Sequence, residues 1–403
     1  MENVNSKTVT QPQNSPGGNW RNWMRVNVRQ YTMIIALLLV WSIFTVLTKG
    51  IFISTRNLSN LFLQSATVAI VACTMVLVMV AGHIDLSVGS AVGFTGAVVA
   101  TLITKASWPT LLAVPVTLLL GLVIGLFQGY WVAYVGVPAF IVTLAGMLIM
   151  RGGLLGVTGG NTISPNSELF RQFGQGYLPQ LFIKVAGFND FSALIGILAI
   201  ILYNISALHS RRGRIKHGFA VSSPRKQMLI QVSMSVIIAL VFSIMVFYHG
   251  IPYAILIVMA MVLIFSFVSQ NMTFGRYVYA IGGNKDAARL SGINVKKTNF
   301  LIFVLQGLAV AIAGIVYTSR LNAATGGAGT GMELDVIAAC IIGGTSTMGG
   351  EGTVFGAIIG ALVMASLDNG MSLMNLGVVY QYVVKGVVLL IAVAVDVSTR
   401  KKQ

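Results

Sequence analysis

Residues Leu58–Ala81 read LSNLFLQSATVAIVACTMVLVMVA, a run without a single Lys, Arg, Asp or Glu. A helix needs about 20 apolar residues to cross the hydrocarbon core of a bilayer, and this run is long enough. It ends at Gly82-His-Ile-Asp-Leu-Ser-Val-Gly89, after which a second apolar run continues to Thr104. Two spans joined by a polar, glycine-bearing break decide the class of fold.

Working outward, apolar runs recur at 31–48, 58–81, 85–104, 110–134, 138–157, 192–209, 228–248, 251–269 and 299–319. A short one at 334–347 is followed by 352–370 and 377–395. The expectation is an all-α, polytopic transmembrane helical bundle of about 10–12 membrane segments, some of them short or broken. Composition agrees. Of 403 residues, 56% are apolar and 9% charged, against roughly 25% charged in soluble domains. So little charge cannot cover a globule in water, which excludes a cytosolic enzyme and a secreted disulfide scaffold. Cys73 and Cys340 lie inside apolar runs and read as small buried hydrophobes. No Cys/His cluster has zinc spacing.

The chain carries 26 basic and 10 acidic residues, a net charge of +16. Lys and Arg collect in the cytoplasmic loops of membrane proteins. With the N-terminus inside, eighteen of them fall in inner segments, around 1–30, 210–226, 276–297 and 400–402. Outer segments hold six: Lys49, Arg56, Lys105, Arg171, Lys184 and Arg320. The bias places both termini in the cytoplasm and explains the net charge by topology, so it is no argument for a nucleic-acid partner. The polar stretch 1–30 reads as a disordered cytoplasmic tail, 31–397 as the transmembrane domain and 398–403 as a basic tail. Within the domain, 192–248 is an extra two-helix piece and 270–298 a cytoplasmic loop.

Glycines recur at spacing four in Gly121, Gly125, Gly129 and in Gly352, Gly356, Gly360. Residues four apart share a helix face, so each run makes a flat seam for a neighbouring helix. The seam serves either tight packing or sliding. The break at 82–89 is echoed by Gly343-Gly-Thr-Ser-Thr-Met-Gly-Gly-Glu-Gly352, which also precedes a glycine-spaced helix. Polar interruptions at corresponding places of two halves point to a transport pathway. Broken backbone at membrane depth survives only inside protein or beside water.

Asp85 stands between two apolar runs, where an ionisable group suggests function; equally, it suits the N-cap of the helix that follows. His83 shares that turn. Lys385, in the last span, either snorkels or pairs with an acid. Asn369 and Gln381 offer donors and acceptors that suit a hydroxylated neutral ligand, or bond one helix to another. The chain has no Gly-Lys pair and hence no Walker loop, no His-Glu-x-x-His and no Gly-x-Ser-x-Gly. The glycines from 326 to 331 read as an outer loop. In the loop from 270, Gly282 and Gly283 break the chain, Asn284 can cap, and Lys285–Ser291 can form two helical turns before Gly292. Such a short helix either docks in a partner's groove or is a plain connector.

Asp286-Ala287-Ala288, with Gly292 four residues on, resembles the Glu-Ala-Ala…Gly signature of bacterial ABC importer permeases. Ile84-Asp-Leu-Ser-Val-Gly-Ser90, Pro138-Ala-Phe-Ile-Val-Thr-Leu144 and Gly282-Gly-Asn284 with Ala287-Ala-Arg-Leu-Ser-Gly-Ile293 resemble the ribose/xylose/galactose permease family. So do Glu333-Leu-Asp-Val-Ile-Ala-Ala339 and Gly343-Gly-Thr-Ser346. The extra piece at 192–248, Met364–Ser372 and Gln381–Gly386 look xylose-type, whereas His83 departs from that pattern.

The resemblance implies a non-enzymatic permease subunit of an ATP-driven importer in a bacterial inner membrane, carrying a monosaccharide, xylose or a similar pentose. It implies an ATP-binding cassette subunit inside, an extracytoplasmic sugar-binding protein outside and a second permease copy. No cofactor is expected on this chain, since ATP and Mg belong to the cassette subunit. Coupling to that subunit would fall to Gly282, Gly283, Asn284, Asp286, Ala287, Ala288, Arg289 and Gly292. Asp85, Ser87, Thr143, Asn369 and Gln381 are the candidates for the substrate pathway. The rival reading is a proton-coupled secondary sugar transporter with Asp85 as its relay.

Overall fold

The computed structural model describes residues 20–400 apart from 183, 184, 186, 220 and 222. Fifteen α-helices are found among the described residues. They are α1 (Trp20–Leu47), α2 (Thr55–Val80), α3 (Val88–Thr104), α4 (Thr110–Tyr130), α5 (Ala139–Thr158) and α6 (Glu168–Gln175). Then come α7 (Asp190–Lys216), α8 (Pro224–Val246), α9 (Tyr253–Asn271), α10 (Thr273–Gly283) and α11 (Lys285–Leu290). The last four are α12 (Val295–Leu321), α13 (Met332–Ile342), α14 (Val354–Leu373) and α15 (Val378–Arg400). Nine are long and apolar enough to cross a membrane; α3, at 17 residues, is shorter.

The helices match the expected spans closely, with one difference at the start. α1 begins at Trp20, so residues 20–30, read above as tail, are helical. In the sequence Arg21, Arg25 and Arg29 recur every four residues, a spacing close to the helical period. Residues 1–19 and 401–403 of the two expected tails lie outside the described residues.

Side-chain caps fix many of the helix starts. Ser54 accepts from the Asn57 N–H, Asn189 from Ser192, Ser223 from Lys226, Asn294 from Lys297 and Thr353 from Gly356. Each relieves one of the orphan donors of a helix N-terminus, worth about 1 kcal/mol. α4 ends in a single π turn, Trp131–Val135, closed by Gly136 at φ +85°.

α2 lies at the centre and is buried along almost its whole length, with α9, α12, α13 and α14 around it. α12 carries α3 and α4 on its other side. The glycine seams are contact surfaces. A Cβ on Gly121, Gly125 or Gly129 would meet the backbone of α12 at Gly307, Phe303 and Phe300. One on Gly356 or Gly360 would meet Gly343 and Ala339 at the end of α13. Lipid gives apolar helices no reason to associate in preference to lipid itself, so close backbone approach supplies the packing. α7 and α8 form a hairpin on the flank with little of their surface covered.

Candidate functional site

The polar break at 82–89 sits where α2, α4, α5 and α12 meet, at the end of the bundle that also holds α10, α11 and the 343–353 loop. Asp85, 1% exposed, accepts through Oδ1 from the Ser87 N–H at 2.8 Å and the Ser87 hydroxyl at 2.6 Å. Gln128 of α4 donates from Nε2 to Ser87 Oγ at 2.7 Å. Thr143 of α5 donates to the Ile84 carbonyl at 3.4 Å. Asp85 therefore closes a turn two residues ahead of the cap, and Ser87 occupies the N-cap position of α3. A carboxylate so placed offers its own backbone a partner that a helix would otherwise supply. His83 and Asn299 line an adjoining cavity of about 350 Å³ with Lys285 and Pro138, and the His83 ring stands 5.9 Å from that of Phe303.

Three of the five pathway candidates, Asp85, Ser87 and Thr143, are thus brought together. The other two lie at the opposite end. Asn369 Oδ1 accepts from Asn57 Nδ2 at 2.8 Å, tying α14 to α2. Gln381 Nε2 donates to the Leu376 carbonyl at 2.9 Å, within its own helix start.

The 282–292 segment is held by its turns. Asn284 Oδ1 accepts from the Ala287 N–H at 2.9 Å and caps α11. Ser291 follows α11, and Gly292 turns the chain at φ +84°, a region open to glycine at no steric cost. Asp286, Ala287 and Arg289 are exposed while Ala288 is buried. Leu290 is 84% exposed. Gly283 is exposed, and Gly282 packs on the Val80 carbonyl and on Gly350. The Gly350 N–H donates to that same carbonyl at 2.8 Å, and Tyr279 of α10 donates to the Gly352 carbonyl at 2.7 Å. α10, the end of α2 and the second break thereby form one contact.

At the far end of the bundle a cavity of about 390 Å³ opens between α2, α12, α13 and α14. Gln64, Thr67, Arg320, Asp335, Asp368 and Ser372 are among its walls. A second, of about 300 Å³, shares Gln64 and Arg320 and adds Asn60, Gln175 and Tyr177. Lys385 of α15 lies 2.9 Å from Asp335 and 2.9 Å from Asp368, so of the two readings of this lysine the ion pair holds. The glycine-rich loop at 326–331 is wedged against α3, with Gly329 on Gly89 and Ala328 beside Gly93. Arg151 Nη1 donates to the Ala328 carbonyl at 2.9 Å. Reading the sequence alone missed Gln64, Thr67, Gln128 and Arg320. The available signal was a polar side chain interrupting an apolar run. Among the described residues no group of three or more His, Cys, Asp or Glu side chains could hold a metal ion.

Comparison with known proteins bears on the family of the chain. Residues 57–393 match the family described as branched-chain amino acid transport system / permease component. The chain is 43% identical over 377 residues to the xylose transport system permease protein XylH of Haemophilus influenzae, covering 94% of this chain and 98% of that protein. It is 42% identical over 388 residues to XylH of Escherichia coli, covering 96% of each. It is 35% identical over 370 residues to the ribose import permease protein RbsC of Escherichia coli, covering 92% of this chain and 93% of the relative. No solved structure matches. With the family match spanning most of a many-helix membrane bundle, the chain belongs to this family of transport-system permease components.

Proposed function

We propose that this permease is the membrane subunit of an ATP-driven importer that takes up D-xylose or a similar pentose. Identity of 42–43% to the two xylose permeases, over nearly the full length of both partners, supports the sugar class. The observation that carries the mode of energy supply is Leu290. A leucine 84% exposed on a two-turn helix, between an Asn cap and a left-handed glycine, is an apolar anchor without a cover. It belongs to the end of the molecule where the basic loops place the cytoplasm. Helices of this form are read by grooves on a partner, here the ATP-binding cassette subunit.

ATP-driven closure of two such cassette subunits would push α11 and α10 against Val80 and the 343–353 loop. The helices would then rock between outward and inward access. The polar-walled cavity at the far end would receive sugar from an extracytoplasmic binding protein, and a second permease copy would complete the pathway. The location is the bacterial inner membrane, with both termini in the cytoplasm.

The test is co-expression with a cassette subunit and a sugar-binding protein, followed by reconstitution. Xylose uptake that requires ATP inside the vesicles, survives an uncoupler and stops when the cassette subunit is omitted is the expected result. Uptake by the permease alone that collapses with an uncoupler would replace this reading by the proton-coupled one.

A further inference from the structure

The α7–α8 hairpin ends in a basic patch that the rest of the bundle leaves uncovered. We propose that this end of the hairpin, residues 211–229, is a binding site for the headgroups of anionic phospholipids, with Arg211, Arg212, Lys216 and Arg225 meeting the phosphates. The site requires that the hairpin span the bilayer and is independent of what the permease carries.

The hairpin is rooted at one membrane surface, where the Asn189 N–H donates to the Val246 carbonyl and the Ile251 N–H to Ser192 Oγ. At about 1.5 Å per residue, a hydrocarbon core of about 30 Å is crossed in about 20 residues, which brings α7 to the opposite surface near Ser210. The basic residues begin there. Arg211, Arg212, Arg214 and Lys216 close α7, and Arg225 and Lys226 open α8. No Asp or Glu stands between Asp190 and Asp286. Among the described residues Arg211, Arg212, Lys216 and Arg225 have no ion-pair partner, and none from 208 to 230 is buried. Helix stability explains only half of the cluster. Cations suit the last turn of α7, but the first turn of α8 favours acids and holds Arg225 and Lys226 without one. Topology explains a bias of charge, not its concentration at one hairpin tip. Between the charges stand Ile215, Phe219, Met228 and Leu229, each more than half exposed. Basic side chains interleaved with bare apolar ones are the composition of a segment lying at a headgroup boundary. The surroundings favour lipid over a protein partner. Among the described residues the hairpin's one substantial packing contact with the bundle is α8 against α2, so lipid surrounds most of it. Roughly four to eight Lys and Arg just beyond a membrane helix hold anionic headgroups, whose phosphate oxygens accept charge-assisted hydrogen bonds.

Cys73 and Cys340, the chain's two cysteines, are both 0% exposed, so a thiol introduced at the exposed His217 can be labelled alone with a fluorophore. The full-length His217→Cys chain is placed in nanodiscs of phosphatidylcholine with a minor share of phosphatidylglycerol. Two preparations of equal composition are compared, one brominated on the phosphatidylglycerol chains and one carrying the same bromine content on phosphatidylcholine. Brominated phosphatidylglycerol is expected to quench the label at least about twofold more strongly. About 1 M NaCl, which shortens the screening length to about 3 Å, removes the difference. So do Arg211→Gln, Arg212→Gln, Lys216→Gln and Arg225→Gln combined. Leu119→Cys, at an exposed position on α4, is the reference. Its label is quenched equally by both lipids, and the same quenching in the fourfold variant shows that the bundle is still folded. Equal quenching at position 217, a preference as large at position 119, or a preference that survives the four substitutions overturns the assignment. Loss of the preference on adding glycerol 3-phosphate would make this a site for free phosphate. Equal quenching together with loss of cassette-subunit co-purification in the fourfold variant would give the patch to a protein partner. Either result also overturns the lipid assignment.

Discussion

Lys385 bridges two acids from two other helices, and its removal leaves both without a counter-ion. Deleting one partner of a fully buried pair costs about 3–5 kcal/mol, and these partly buried pairs fall below that figure. Lys385→Met is therefore expected to lower the thermal unfolding temperature in detergent sharply, while Lys385→Arg retains most of the stability. Equal unfolding temperatures for the two variants would show that the pairs contribute nothing. The seam glycines give a second comparison. A Cβ on Gly125 would stand 2.5 Å from the Phe303 carbonyl oxygen and 2.8 Å from Val304 Cα, backbone atoms that cannot rotate away. Gly125→Leu should cost about 1–3 kcal/mol by overpacking, whereas Gly152→Ala, with nothing within 4 Å of its Cβ, should cost far less in the same melting assay. The ionic character of Lys385 was readable as a charge in a span, but its partners were not. They lie 50 and 17 residues away on helices whose rotation the sequence does not state. The same holds for Arg320 with Gln64. Polarity marks a residue as costly, and only packing says which cavity it shares.

Among the elements, α11 was legible nearly to the residue. A glycine pair, an Asn cap and a closing glycine are local signals that need no tertiary information, and the helix spans Lys285–Leu290 as those signals require. The start of α1 was less legible, because a polar helix and a polar tail differ little in composition and the arginine spacing was the one clue. The first break shows the same limit. The sequence offered Asp85 either as a functional ionisable group or as the N-cap of α3; instead it closes the turn ahead of the cap, with Ser87 at the N-cap position and held by Gln128 from α4. For α11 itself, Leu290→Asp should abolish co-purification of the cassette subunit and ATP-dependent uptake while leaving the melting temperature of the isolated permease unchanged. A bulky residue at Gly292, such as Gly292→Trp, adds left-handed backbone strain of roughly 1–2 kcal/mol and should uncouple ATP hydrolysis from uptake. Unchanged uptake per ATP hydrolysed in both variants would count against α11 as the coupling element.

At the scale of the molecule, α7 and α8 are an appendage whose roots are close together. The Asn189 N–H donates to the Val246 carbonyl at 2.9 Å, and the Ile251 N–H donates to Ser192 Oγ at 2.9 Å. Most of the hairpin's packing is internal, so replacing 193–245 by a short flexible linker should leave the remaining bundle folded, with size-exclusion behaviour in detergent and a melting temperature close to those of the parent. Aggregation of that variant would show that the hairpin braces the core. The meeting of Gly282, Val80 and Gly350 has a different consequence. Three pieces of main chain touch there, one from each broken half and one from the last turn of α10. No side chain cushions the joint, so it has almost no slack. Any stroke delivered through α10 would arrive at both interruptions together, and a pathway built on them would open or shut as a unit rather than one half after the other.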